Sequence, residues 1–264
     1  MWQDKELLWF PLLQFVALLG MVVGISFALI RLGFLSNQAP TDPGTTIAGW
    51  IIVFLFYLVT AFVTTFFAVC MAAIGYARLN GRDLTFLDGV HEAWIRIDKI
   101  FIWALLSATV GVLLKLLSER SKVLGKVAAW LGGTAWAIAT FFIIPILLLK
   151  EESVLEAVRD SGRTFKKIWG ESVVLFVSTN FFFGVLAFVA IGAWFGIVIL
   201  MGERLEVITF LLSVTILFII LAFLTALSTA LDVIFKVALY TYAESGVMPQ
   251  AFSPALLEGA VRKK

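Results

Sequence analysis

The sequence predicts an all-α membrane protein with about six transmembrane helices in three hairpins, each hairpin followed by a cytoplasmic amphipathic interfacial helix. Three observations carry this prediction. The 264-residue chain has a mean hydropathy of +1.03, too apolar for an ordinary soluble domain. Its apolar residues form runs near the ~20 residues that cross a bilayer. A short amphipathic pattern follows every second run. We expect one membrane domain over residues 1–264.

Six apolar runs define the predicted spans: about 11–30, 47–77, 100–117, 127–149, 173–200 and 207–240. A short interfacial helix is expected over residues 1–10, with Pro11 beginning the first span. The second run would be about 45 Å long as a helix, so it should tilt or protrude from the ~30 Å hydrocarbon core. Pro145 should kink the fourth span, which a packed helix bundle tolerates.

The stretch 153–169 is the clearest amphipathic helix. Five residues recur every three or four positions, as one helix face requires; they are the apolar Val154, Val158, Phe165 and Ile168, together with Ser161. Ser153 and Glu156 have the spacing of a capping box, in which each side chain satisfies an amide of the first turn. The pattern predicts a helix with one apolar and one charged face.

Related segments occur twice more, at 85–97 and 253–262. In the first, the apolar stripe consists of Phe86, Val90, either Ala93 or Trp94, and Ile97. All three segments follow a Ser or Thr cap and share an apolar-Leu-acid pattern, which predicts internal repeats over 1–100, 101–170 and 171–264. The residues expected to face the membrane interface are Val90, Trp94, Val158, Phe165, Ile168 and Leu256.

The distribution of cations predicts the orientation. Alternate sides of the six spans carry fourteen and six of the twenty Lys and Arg residues. By the positive-inside rule, both termini and the three amphipathic helices lie in the cytoplasm, as in a multi-pass protein of the cell membrane. The net charge of +2 is too small to indicate a nucleic-acid partner.

The chain resembles an uncharacterised group of prokaryotic six-span membrane proteins, similar in style to the membrane domain of some glycerophosphodiester phosphodiesterases. The resemblance rests on Trp103-Ala-Leu-Leu, on the run from Trp136 to Pro145, and on Lys167-Ile-Trp-Gly-Glu171. It implies a six-span fold without an assigned activity. No phosphodiesterase domain is present, so that activity does not carry over.

Few side chains offer chemistry. Asp232 and Lys236 lie four apart near the end of the sixth span and can pair, either structurally or as part of a pathway. The other polar candidates within spans are Thr60, Thr64, Asn180, Thr225 and Thr229. Threonines at this spacing suit a polar path, interhelical bonds, or bonds to carbonyls of their own helix. With one His and one Cys, no catalytic, metal or cofactor site is expected.

Two function classes remain open. The first is a non-enzymatic membrane protein that organises lipid or docks a protein partner through its cytoplasmic amphipathic helices. The second is a carrier or channel for a small or lipid-like solute, because internal repeats often build transport pathways. An enzyme acting on lipid headgroups ranks third, with His91 or Asp232 as its only plausible participants.

Overall fold

The computed structural model describes residues 5–31, 43–119, 123–201 and 207–246, and all regular elements in these ranges are α-helices. In chain order they are α1 Lys5–Arg31, α2 Pro43–Leu79, α3 Phe86–Ile95, α4 Ile97–Glu119, α5 Leu124–Ala139, α6 Ile143–Leu149, α7 Val154–Lys167, α8 Trp169–Met201 and α9 Val207–Ser245.

Six segments are long and apolar enough to cross a membrane: Trp9–Phe27, Ile47–Leu79, Ile97–Glu119, Leu124–Leu149, Phe181–Met201 and Ile208–Ser245. They correspond in order to the six apolar runs of the sequence. The chain is therefore a multi-pass membrane protein, as predicted.

The first helix differs from the prediction at its beginning. We expected a separate helix before Pro11, but α1 is continuous from Lys5 to Arg31 with Pro11 inside it. A proline deprives the helix of one backbone hydrogen bond, and the apolar residues on both sides favour continuing the same helix.

The fourth span is interrupted rather than merely kinked. It consists of α5 and the short α6, separated by a turn over residues 140–142. Pro145 has no amide hydrogen for the carbonyl four residues earlier, and its ring would clash with that carbonyl. Within α6, Pro145 occupies the first turn, where a missing amide hydrogen costs nothing.

Packing between the long helices joins α1 with α2, α4 with α5, and α8 with α9, while α2 also packs against α4 and α9. Two apolar clusters fill the contacts. One surrounds the buried stretch Val69–Ile74 of α2, and the other surrounds α6 and the inner face of α7. The two short helices α3 and α7 are thus attached to the bundle by its buried cores.

Local signals explain where the short helices begin. Gly81, at φ +71°, provides the left-handed backbone that turns the chain after α2. Thr85 and Asp88 form a capping box at α3, and Ser153 and Glu156 form the predicted capping box at α7. The caps at Ser153 and Thr85 are confirmed. The predicted third segment, 253–262 with Leu256, lies outside the described residues.

Candidate functional site

Helices α3 and α7, with the residues that connect them to the spans, form what we call the short-helix layer. The two helices follow α2 and α6, the ends of the second and fourth spans. Lys99 in the first turn of α4 donates hydrogen bonds to the Glu151 carboxylate at 2.9 Å and to the Lys150 carbonyl at 3.0 Å. The chain segments leading out of α3 and into α7 therefore meet.

The inner face of α7 packs against protein. Its buried residues recur at helical spacing: Val154, Ala157, Ser161, Thr164 and Phe165. The Phe165 ring lies edge-on to that of Phe141, with 5.2 Å between centroids. Ile168 is also buried, and Val158 packs against the same cluster. The apolar stripe at Val158, Phe165 and Ile168 therefore contacts the spans.

Ser161 connects this face to the interrupted span. Its hydroxyl oxygen accepts a hydrogen bond of 2.9 Å from the backbone amide of Phe142, and both residues are fully buried. The turn over residues 140–142 removes the intrahelical acceptor that this amide would otherwise use, and a buried amide without a partner is costly. The Ser161 hydroxyl supplies the missing acceptor.

Lys150 is the centre of a charged cluster at the junction of α6, α7 and α9. It forms ion pairs with Asp160 of α7 and, at 3.5 Å, with Glu244 of α9. Its ammonium also lies 5.7 Å from the ring centre of Tyr240. Burial disfavours its charge, but Asp160 and Tyr240 favour it more, so the pKa of Lys150 is raised. Lys150 stays charged across the physiological range.

The pKa values of the two acidic residues that follow Lys150 are shifted in opposite directions. The hydrogen bond from Lys99 lowers the pKa of Glu151. Burial, followed by repulsion from Asp160, raises the pKa of Glu152. One carboxylate oxygen of Glu152 is buried without a hydrogen-bond partner among the described residues. Burial and repulsion therefore outweigh the attraction of Lys150 and disfavour the charged form of Glu152.

Helix α3 approaches α2 very closely. A Cβ atom at Gly89 would lie 2.9 Å from the Ile74 side chain and 3.1 Å from the Cys70 carbonyl oxygen, closer than side chains normally pack. Ala93 is fully buried, so of the two alternatives for the apolar stripe, Ala93 or Trp94, it is Ala93 that faces the bundle. Val90 is half-buried against the same core.

Trp94 belongs to the exposed part of α3. It is 62% exposed, and Leu87 and Ile95 are exposed to a similar degree. From periodicity alone, either Ala93 or Trp94 could complete the apolar stripe of this short helix. Only the contact at Gly89 determines which side of α3 faces the bundle.

The intramembrane candidates have local partners. Asp232 and Lys236 form an ion pair of 2.7 Å, and the Lys236 ammonium lies 4.8 Å from the ring centre of Phe141, in the turn of the fourth span. Hydroxyls of Thr64, Thr225 and Thr229 donate to carbonyls of their own helices.

Two further candidates complete the intramembrane set. Thr60 contacts the Met21 sulfur at 3.9 Å. The side chain of Asn180 lies outside the part of the chain that the structure describes. None of these contacts specifically favours a transport path.

His91 is exposed on α3, and Cys70 is buried in α2. In the described ranges, no group of three His, Cys, Asp or Glu side chains is arranged to hold a metal ion. Sequence reasoning missed two features: the Ser161 hydroxyl as the acceptor for the Phe142 amide, and Lys150 as the centre of a charged cluster. Both act on residues far away in the chain, so only the fold reveals them.

Comparison with known proteins gives one match. No curated protein and no solved structure matches the chain. A family described as a family of unknown function, DUF6159, matches residues 47–249, which cover α2 from its second turn and all of α3 to α9. This match covers most of the 264 residues and includes the interrupted span and the short-helix layer. The chain belongs to the DUF6159 family of unknown function.

Proposed function

We propose that this protein is a non-enzymatic, integral membrane protein that organises lipid at the cytoplasmic boundary of the cell membrane through its short-helix layer. Membrane lipids are its partners, and the six spans form three hairpins. The packing of α1 on α2, α4 on α5 and α8 on α9 supports the hairpins. The resemblance to the membrane domain of glycerophosphodiester phosphodiesterases remains a prediction, and the proposal does not depend on it.

The observation that carries the proposal is the outer surface of α3. Leu87, Trp94 and Ile95 are between 59% and 73% exposed although the helix is attached to the ends of spans. Exposed apolar side chains on a short helix at that level suit insertion between lipid headgroups. Tryptophan in particular is enriched at membrane–water interfaces, where an apolar ring with one polar edge fits.

The outer surface of α7 supports the same function. Glu156, Arg159, Arg163 and Lys166 are exposed, whereas its inner face is buried in protein. Leu155 in its first turn and Trp169, the first residue of α8, are also exposed. A surface of mixed charges flanked by apolar residues matches the headgroup region, where both kinds of group find partners.

The depth of position 94 tests the proposal. Because Cys70 is the only cysteine, a Cys70→Ala background accepts a single nitroxide label at Trp94→Cys. In lipid nanodiscs, electron paramagnetic resonance should show that this nitroxide collides more with apolar oxygen than with a water-soluble nickel complex. The control is Asp83→Cys in the exposed loop before α3, where the order should be reversed.

A nitroxide at position 94 that is as accessible to the nickel complex as the one at position 83 would contradict lipid contact. An aqueous position 94 would instead favour the docking of a protein partner on the same surface. The labelled variants should keep the helical content of the parent protein by circular dichroism.

A further inference from the structure

A cavity of about 200 Å³ lies between α2, α3 and α6. Its apolar walls include Leu84, Leu148 and Leu149, and its polar lining includes Tyr76 and Glu92, with the cations Arg82 and Arg96. The volume corresponds to several water molecules, since one water occupies about 30 Å³ of the liquid. The cavity is therefore large enough for a small polar group.

The charges in this cavity do not cancel. Arg96 donates to the Glu92 carboxylate at 2.6 Å and to the Glu92 carbonyl at 2.8 Å, both from Nη1. Its Nε is buried without a hydrogen-bond partner among the described residues. A guanidinium has five N–H donors, so this pairing leaves donors unused. Two guanidinium groups and one carboxylate give the lining a net positive charge.

Arg82 is the cation without a matching anion. Its backbone amide donates to the Ala77 carbonyl at 2.9 Å, which fixes the residue at the cavity. Its side chain is exposed and forms no ion pair with the described residues, whereas neighbouring Arg78 pairs with Asp83 at 2.8 Å. A free guanidinium held beside an apolar wall is suited to a ligand that is anionic at one end.

The position of the cavity relative to the spans indicates the depth in the membrane at which such a ligand lies. Tyr76 and Ala77 belong to the last turn of the second span, and Leu148 and Leu149 end the fourth span. The arginines come from the residues that follow these ends. Charged lipid headgroups lie at this boundary, with their acyl chains beside the apolar walls.

From this geometry we propose that the cavity binds a phosphate-bearing anion through Arg82 and Arg96, as the headgroup phosphodiester of an anionic lipid or as free phosphate. The inference rests on the proposed function and specifies its ligand chemistry. A monoanionic phosphodiester balances the net charge of the lining. Guanidinium groups bind phosphate through paired, charge-assisted hydrogen bonds.

Lipid retention tests the inference. Protein is reconstituted in nanodiscs of phosphatidylcholine and phosphatidylglycerol in equal amounts, and native mass spectrometry counts the lipids that stay bound. The unchanged protein should retain phosphatidylglycerol in preference to phosphatidylcholine. Arg82→Gln should reduce this preference about three- to tenfold, as expected for the loss of one charge-assisted contact. Arg82→Lys should restore part of it.

The control is Lys126→Gln, which removes an exposed cation from the first turn of α5 that neither lines the cavity nor belongs to the short-helix layer. It should leave the preference unchanged. An equal loss in both variants would show an effect of overall surface charge and overturn the inference. If Arg82→Gln keeps the same preference for phosphatidylglycerol as the unchanged protein, the ligand of the cavity is not an anionic lipid.

A second arm distinguishes the sources of phosphate. Calorimetric titration of inorganic phosphate into nanodiscs of pure phosphatidylcholine should give heat that is lost in Arg82→Gln if the ligand is free phosphate. If neither the lipid preference nor the heat of phosphate binding depends on Arg82, the inference fails. The proposed function would still stand in that case if the nitroxide at position 94 lies at headgroup depth, so the two failures can be told apart.

Discussion

At the scale of single residues, Ser161 provides the acceptor that the break in the fourth span leaves missing at Phe142. We expect Ser161→Ala to lower the free energy of unfolding by about 1–3 kcal/mol, because the buried Phe142 amide would lose the acceptor that Ser161 supplies. Unfolding by sodium dodecyl sulfate in mixed micelles measures this change.

The control for this variant is Thr134→Val in the same span. The Thr134 hydroxyl donates to the Trp130 carbonyl of its own helix, at an exposed site. Its loss should change the free energy of unfolding by no more than about 0.5 kcal/mol. Equal effects of the two substitutions would show that Ser161 does not act through the Phe142 amide.

Glu152 gives the fold a pH dependence. Its pKa is raised above the ordinary 4.5 by burial and by repulsion from Asp160. In the window just above pH 4.5, the folded protein therefore binds more protons at this site than the unfolded chain, so the contribution of Glu152 to stability decreases as the pH rises. Glu152→Gln should become increasingly more stable than the parent protein across that window.

The free energies of unfolding of Glu152→Gln and of the parent protein, measured at a series of pH values, test this prediction. The lowered pKa values of Glu151 and Glu156 act in the opposite direction. Their stabilisation is present above pH 4.5 and is lost as the pH falls through their folded-state values. The two effects therefore occupy different pH ranges. A constant difference between Glu152→Gln and the parent would contradict the role assigned to Glu152.

At the scale of helices, the attachment of α7 depends on Phe165. Phe165→Asp removes a buried ring and places a carboxylate against Phe141. It should therefore lower the free energy of unfolding by about 3–5 kcal/mol or more. Hydrogen exchange of the α7 amides should then accelerate by orders of magnitude. Leu155→Asp, at an exposed position of the same helix, should leave their protection unchanged. Unchanged protection in Phe165→Asp would show that α7 is held elsewhere.

Sequence alone could predict those features of the helices whose cause is local. The capping boxes at Thr85 and Ser153 and the disruption near Pro145 depend on residues a few positions apart. It could not predict the partner of Ser161, nineteen residues from Phe142, or the pairing of Lys150 with Glu244. The inward side of α3 was ambiguous because the close approach at Gly89 depends on α2.

At the scale of the whole molecule, the cavity lined by Arg82 and Arg96 lies at the same end of the bundle as the charged cluster around Lys150. Residues of α6 and α3 line the cavity, and Lys99 pairs with Glu151 beside the cluster. Charged groups are thus concentrated where the second and fourth spans end. This asymmetry is what the positive-inside rule detects, and it leads to a prediction about orientation.

We expect the end of the bundle that carries α3 and α7 to face the cytoplasm. In the Cys70→Ala background, Asp83→Cys marks that end, and Glu119→Cys marks the other end of α4. A membrane-impermeant maleimide should label position 119 in intact cells and position 83 only after permeabilisation. The reverse pattern would place Arg82 and Trp94 outside the cell. The ligand of the cavity would then come from the outer leaflet or the external medium, because a headgroup site can bind only the lipids of the leaflet it faces.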